Sequence, residues 1–290
     1  MLIAALIGGQ SVMAAESVGM VTILDGDAVL IRGLSKYALT EGTRVLANDL
    51  VETGRSTFLR VECADGAIVD LGPATRVQLN RPSSRQAGRA GLYLLAGWLK
   101  LSAGKLPAGT RGSIAAREFD TIEVGGEAVE RAQSGAGAVF AENGALHVID
   151  RRRGAATPVA LASGDFLELR GRDAARVDRE PPRDFVAALP RAFADRLPSR
   201  IALFRDREVA AKPTGTFTFA EVEAWIDAEP AIRRRFVREW VAKADDAAFH
   251  ERLEAGLSRH PEWERILHPE RFEQPPVDST TPSPGGAPPH

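Results

Sequence analysis

Short apolar alternations, each closed by a glycine, limit this chain's fold more than any other feature. In GMVTILDGDAVLIRG, Val21 and Ile23 share a face before Asp25-Gly26, and Val29 and Ile31 follow it. The device recurs around Asp65-Gly66 in STFLRVECADGAIVDLG, at Gly97 in GLYLLAGWLKLSAG and at Asn143-Gly144 in GAVFAENGALHVID. Period-two apolarity of this length suits a half-buried strand and not a helix. Asp-Gly and Asn-Gly between such runs read as hairpin turns. Residues 19–178 are therefore expected to be β, with turns at these four places.

A longer unit also repeats. Residues 28–52 run as a strand, a polar turn, Leu39, Glu41-Gly42, Val45 and Leu50. Residues 145–169 run as a strand with Leu146 and Val148, a basic turn, Val159 and Leu161, Ser163-Gly164, then Phe166 and Leu167. Self-similarity on this scale suggests stacked rungs, as in a β-solenoid-like fold. A two-sheet sandwich produces the same alternation and turn spacing. Both remain open at this point.

The character changes near Glu180-Pro181-Pro182-Arg183. Leu189, Phe193, Leu197 and Ile201 then fall at helical spacing, and a looser stretch, RDREVAAKPTG, follows. Thr218-Phe219-Ala220-Glu221 has the form of a capping box. It opens a helix with Phe219, Val222, Trp225 and Ile226 on one side. Pro230 suits the first turn of the next helix, which carries Ile232, Phe236, Val237, Trp240 and Val241. Asp245 or Asp246 can cap a third, with Phe249, Leu253 and Leu257 as its stripe, and Trp263, Ile266 and Leu267 end the pattern. The fold class is thus mainly β, followed by a small all-α domain over residues 184–272. Residues 273–290 hold six of the 18 prolines and almost nothing to bury, so they read as a disordered tail. At the other end, MLIAALIGGQSVMAAES has a short apolar stretch and small residues at Val12-Met13-Ala14-Ala15, the layout of a secretory signal over residues 1–15. No basic residue precedes that stretch. It is too short and too interrupted to span a membrane, so the expected mature chain is exported, soluble and periplasmic.

Residues that could carry chemistry are few. The 37 basic and 39 acidic residues nearly cancel, giving no electrostatic reason to expect nucleic acid as a partner. Five histidines, His147, His250, His260, His268 and His290, match no zinc spacing, and the single cysteine, Cys63, alternates with Leu59 and Val61 as a small core residue would. No Gly-x-Ser-x-Gly elbow is present. His147, between Leu146 and Val148, is expected to point to solvent. Gly125-Gly126, Gly135 and Gly137 lack the residues that complete a phosphate loop, and Asp25 and Asp27 flank a turn. Arg151-Arg152-Arg153 reads as a solvated, edge-protecting loop and Arg233-Arg234-Arg235 as the wet face of a helix. Trp225, Trp240 and Trp263 lie on apolar stripes and are expected in a core. No catalytic, metal or cofactor-binding residue is assigned, and the binding residues are not specified.

One resemblance carries further. The "G-x-V" entry at Gly19, the stretch D-x-V-x-T-G at Asp49 to Gly54, the strand L-x-V-x-x-x-D-G at Leu59 to Gly66 and the break G-P-x-T at Gly72 to Thr75 occur in order, before LYLLAGWLKL. Together they resemble the FecR-like domain of bacterial envelope proteins, over residues 19–170. The resemblance implies an all-β periplasmic module that senses or binds protein. In the family's signalling members a cytosolic anti-sigma helical region and a membrane span precede this domain. Neither is visible here, so sigma-factor regulation is not carried over. No catalytic residue or cofactor comes with the resemblance. The expected role is non-catalytic contact with another envelope protein through strand edges and turns. Glycan or peptidoglycan binding is the alternative, and would rest on Tyr37, Tyr93 and Trp98.

Overall fold

A computed structural model of the chain describes residues 16–83, 91–154 and 157–272. The expected signal segment, residues 1–15, and the Pro-rich tail, residues 273–290, lie outside the described residues. The fold is mainly β, a large curled antiparallel sheet followed by several short helices. Its strands are β1 (Ser17–Asp25), β2 (Ala28–Arg32), β3 (Ser35–Ala38), β4 (Arg44–Leu46), β5 (Asp49–Thr53), β6 (Phe58–Cys63), β7 (Ile68–Leu71), β8 (Arg76–Leu79) and β9 (Leu92–Ser102). They continue as β10 (Gly112–Ala116), β11 (Phe119–Val124), β12 (Glu127–Gln133), β13 (Ala136–Asn143), β14 (Leu146–Asp150), β15 (Val159–Leu161), β16 (Phe166–Arg170), β17 (Arg176–Asp178) and β18 (Lys212–Thr216).

Hydrogen bonding divides the strands between two arms. The first runs β4-β1-β6-β7-β9-β12-β13-β16-β17. The second runs β18-β3-β2-β5-β8-β9-β10-β11-β14-β15. Strand β9 belongs to both. Its N-terminal half pairs with β8 and β10, and Gly97 onward pairs with β12 and β7. Apolar residues from the inner faces of both arms, among them Val21, Leu30, Val61, Val77, Leu94, Leu99, Ile114 and Val139, form one core between them. This is the sandwich arrangement, with two arms of one sheet facing each other.

Gly97 does not turn the chain into a hairpin. It sits at φ +98° inside a continuous strand, where a Cβ would come within 2.5 Å of the Thr75 Cα. Only glycine meets both conditions comfortably. The turns at Asp25-Gly26 and Asn143-Gly144 are likewise not hairpins. β1 and β2 go to different arms, as do β13 and β14. Asp65-Gly66 does join a hairpin, β6 to β7. A tight hairpin and a crossing between layers both need a residue at positive φ, so the same dipeptide serves either.

The repeated unit is visible in the backbone. Leu39 and Leu161 are buried, and Gly42 and Gly164 take φ +86° and +92°. Gly42 N donates to Val21 O at 2.7 Å while Val21 N donates to Thr43 O; Gly164 N donates to Ala141 O at 2.7 Å while Ala141 N donates to Asp165 O. In both places the chain leaves the second arm and enters the first. The motif residues at the β5 corner are also structural. Asp49 accepts from Arg32 Nε and Nη2 and from Leu46 N. Thr53 Oγ1 donates to Gly72 O at 2.6 Å and accepts from Thr75 N, and Thr75 Oγ1 accepts from Trp98 N at 2.9 Å. That chain of bonds fixes the β8–β9 corner beside Gly97.

Both outer faces are covered by the rest of the chain. Helices α1 (Arg183–Ala188) and α2 (Arg191–Ala194) form a strap on the first arm, where Phe185 and Phe193 pack with Phe58, Val129 and Phe166. Lys100 Nζ donates to Phe193 O at 3.0 Å and Arg60 Nη1 to Leu197 O at 3.0 Å. Of the residues at helical spacing from Leu189 to Ile201, only Phe193 lies in an α-helix: α1 ends before Leu189, and Leu197 is outside any helix. Pro190 opens α2, and the chain is extended at Asp195. The loose stretch after Arg205 includes a strand, β18, laid beside β3. Then α3 (Phe219–Ile226), α4 (Pro230–Glu239), α5 (Ala247–Ala255) and α6 (Glu264–Leu267) cover the second arm. Glu221 accepts from Thr218 N at 2.8 Å, Asp246 from Ala248 N and Phe249 N at 3.1 Å, and Pro230 is the first residue of α4. Trp225, Trp240 and Trp263 are buried with Ile31, Leu50 and Tyr93 from the sheet. Each such ring removes roughly 200 Å² from water, about 5 kcal/mol before entropy is counted.

One core residue is acidic. Alternation along β12 places Glu130 on the inner face with Ala128 and Ala132, fully buried, with neither carboxylate oxygen hydrogen-bonded. Burial lifts its carboxyl to about 8, against the opposing effect of the Thr121 hydroxyl.

Two outcomes follow from this architecture. Gly97→Ala should lose about 3 kcal/mol or more in urea unfolding, from positive φ and the collision with Thr75 together. Gly109→Ala, at φ +80° but with open space around it, should lose about 1 kcal/mol. For Glu130 the folded state holds a proton that the unfolded chain has released, so stability falls as pH rises from the ordinary carboxylate range to about 8. Melting temperatures between pH 5 and 9 should show this fall, and Glu130→Gln should flatten it.

Candidate functional site

Most residues that drew attention in the sequence serve the fold. Cys63 is a free, buried thiol whose pKa burial raises. His260 is fully buried, its Nδ1 3.0 Å from Asp227 and its Nε2 3.0 Å from Leu253 O. His268 lies against Glu254 and His250 against Ala244 O, so the late histidines go to separate places. His290 lies outside the described residues. No three potential metal ligands converge among the described residues. His147 does face outward, with Nδ1 3.0 Å from Glu123. Gly126 and Gly137 are places of close packing, where a Cβ would meet Asn143 O at 2.1 Å and the Phe119 ring at 2.5 Å. Tyr37, Tyr93 and Trp98 form no exposed row: Tyr93 is buried, and Trp98 packs 5.2 Å from the Phe185 ring.

The arginine runs depart from the solvated faces expected of them. Arg151 makes a bidentate pair with Glu229, at 2.7 Å through each nitrogen, and also donates to Ala116 O. Arg152 pairs with Asp150. In the second run, Arg233 bonds Glu262, Arg235 bonds Asn48 O and Oδ1, and Arg234 alone stays largely exposed. Sequence shows charge; it does not show that the fold brings a partner to it.

Those same contacts frame a cleft. Arg151–Glu229 ties the start of α4 to the end of β14, and Arg235–Asn48 ties its later part to the sheet. Between these ties the helix bridges a hollow of about 460 Å³ on the outer face of the second arm. Its floor is one row of register partners, Gln78, Tyr93, Ala115, Asp120 and Ile149, from β8, β9, β10, β11 and β14. The small alanine in mid-row leaves the depth. Ile122 and Ile232 add apolar wall. Burial raises the Asp120 carboxyl, and Arg151 at 3.6 Å opposes that shift. Apolar walls with a few convergent polar groups are what a binding cleft of this size requires.

A larger hollow, about 720 Å³, lies under the strap on the first arm. Its charges already answer one another. Arg60 holds Asp70 at 2.6 and 2.8 Å, and Lys100 pairs with Glu142 at 2.5 Å. Burial raises Asp70 even so, while Arg60 and Lys100 oppose it. This ion-paired hollow secures the strap and has fewer groups left to bind with.

A third surface is the segment 201–216 along the side of the sandwich. Ile201, Leu203 and Val209 are exposed there, and β18 ends the second arm with every residue exposed. Val209 N donates to Gly42 O at 2.9 Å, so the segment closes over the β4 edge of the first arm. The other edges are short: β15 and β17 have three residues each. No helix among the described residues is long and apolar enough to cross a membrane.

No family description matches this sequence, and no curated protein does. Two crystal structures of a putative anti-sigma factor from Parabacteroides distasonis ATCC 8503 are distantly similar to it. The one at 2.50 Å has a TM-score of 0.39 and 14% identity, covering 48% of this chain and 62% of that one. The one at 1.65 Å has a TM-score of 0.40 and 13% identity, covering 48% and 63%. The chain thus spans less than two thirds of those structures, and the likeness extends over about half of its own length.

Proposed function

We propose that this chain is a FecR-like binding module, exported to the bacterial periplasm, that engages another envelope protein without chemically changing it. The family reading rests on motifs with defined structural work: Thr53, Gly72 and Thr75 lock the corner at which the two arms join, and Asp49 holds the turn between β4 and β5. The export reading rests on the apolar N-terminal sequence alone.

The observation that carries the binding role is the seam at 201–216. Ile201, Leu203 and Val209 are exposed on the stretch that leads into β18, whose outer edge is unpaired. Apolar exposure on a segment that runs into an unpaired edge suits an extended segment of a partner, which pairs with the strand and buries side chains along the segment. Pro213 and Gly215 within β18 limit how far pairing can run. The aliphatic contacts therefore supply much of the affinity. The strap and the helices cover much of both faces of the sandwich, and among the described residues the seam carries three of the eight exposed large apolar side chains, Leu203 the most exposed of them.

The double variant Leu203→Glu, Val209→Glu should fold as the parent does, since both side chains are exposed. Immobilised on beads, it should recover at least tenfold less of the partner that the parent chain captures from envelope extract. Equal recovery by both would remove the seam from the reading. Turnover of peptidoglycan by the purified chain would contradict a binding-only role.

A further inference from the structure

Two side-chain oxygens of residues that line the α4 cleft are buried and have no hydrogen-bond partner: Tyr93 Oη and Gln78 Oε1. The residues are only 4% and 5% exposed. A buried polar atom left unpaired lowers stability, so its retention calls for a reason, and a ligand is one. Gln78 and Tyr93 are direct register partners on β8 and β9. Side chains at such positions start roughly 5 Å apart and can reach one atom between them. Gln78 Nε2 is committed to Asn48 Oδ1 at 3.0 Å, which leaves the carbonyl oxygen as the free group. Burial raises the Tyr93 phenol above its ordinary value, so it keeps its proton at neutral pH and can donate as well as accept.

The charges at the rim are already answered. Arg151 is held by Glu229, and Arg235 by Asn48 and Glu239. An anion would have to draw Arg151 or Arg235 from these partners, and a cation would have to compete with Arg151 for Asp120, 3.6 Å away on the floor. A pure hydrocarbon would leave both floor oxygens dry. We infer that the cleft binds an uncharged, largely apolar molecule bearing a hydroxyl group. Its body lies against Ile122, Ile149 and Ile232, and its hydroxyl donates to Gln78 Oε1 while accepting from Tyr93 Oη. A hydroxyl is the smallest group that satisfies an acceptor and a donor at once. The volume of about 460 Å³ lies in the range of small-molecule sites. The cleft shares no residue with the seam at 201–216, so this inference stands whether or not that surface binds a partner.

Three matched probes test it by fluorine NMR on the full chain: 4-fluorobenzyl alcohol, 4-fluorotoluene and 4-fluorobenzoate. The alcohol should bind at least tenfold more tightly than the toluene, and the benzoate should bind weakest. Tyr93→Phe removes one oxygen from a floor that otherwise keeps its shape. It should bring the alcohol close to the toluene, leave toluene binding unchanged, and melt no lower than the parent. Ala115→Leu, which fills the hollow, should abolish binding of all three. Equal affinity for alcohol and toluene would overturn the inference. So would an unchanged preference in Tyr93→Phe, or no saturable binding by any probe.

Discussion

Everything in this molecule is arranged around the passage of β9 from one arm of the sheet to the other. Eleven residues run without a break, and the strand changes partners at Gly97. The shared strand joins the two arms, whose inner faces enclose a single core. The corner beside it is held by side-chain hydroxyls bonded to backbone, Thr53 to Gly72 O and Thr75 to both the N and O of Trp98. Such bonds make the corner specific, since each buried hydroxyl would be costly without its partner. The same strand supplies Leu94 and Leu99 to the core and Tyr93 to the outer cleft. Core, corner and cleft are therefore positioned by one element.

The covering layers follow from what a sandwich leaves exposed. Two sheets that bury their inner faces still present apolar outer rows, here Ile31, Leu50 and Tyr93 on one side and Phe58, Val129 and Phe166 on the other. The segment after residue 182 meets both needs in turn, first as a strap and then as four helices. The strap is fastened by the packing of Phe185 and Phe193 and by bonds around Arg60, Lys100 and Glu62, with Ser199 Oγ and Arg200 N both donating to Glu62. The helices are fastened by aromatic packing, including Trp225 of α3 with its ring centroid 6.5 Å from that of Tyr93 on β9. Helix α4 is pinned by its arginine and glutamate contacts across a floor with an alanine at its centre, and the hollow beneath it is a consequence of that geometry.

What the sequence made legible was local. Alternation placed the strands, the tryptophan stripes placed the helices on a core, and the capping residues Thr218, Pro230 and Asp246 marked helix starts. Three of the four glycine positions are turns, but at Asp25-Gly26 and Asn143-Gly144 the chain crosses between arms where hairpins were expected, and Gly97 lies within a continuous strand. The difference lies in what the next strand pairs with, which no dipeptide encodes. The arginine runs were misjudged for a related reason. Glu229 and Asn48 answer Arg151 and Arg235 across long stretches of chain. The cleft was the least visible feature. Its floor takes one residue from each of five strands, and only the register brings Gln78, Tyr93 and Asp120 into one row.

If β9 and the helices over it form one cooperative structure, they should open together. Hydrogen exchange followed by mass spectrometry on the full chain tests this most directly. The account predicts that amides of 92–102 and of 219–240 exchange with the same free energy of opening, equal to that of global unfolding. Exchange of 219–240 at a much lower free energy, with β9 still protected, would contradict it.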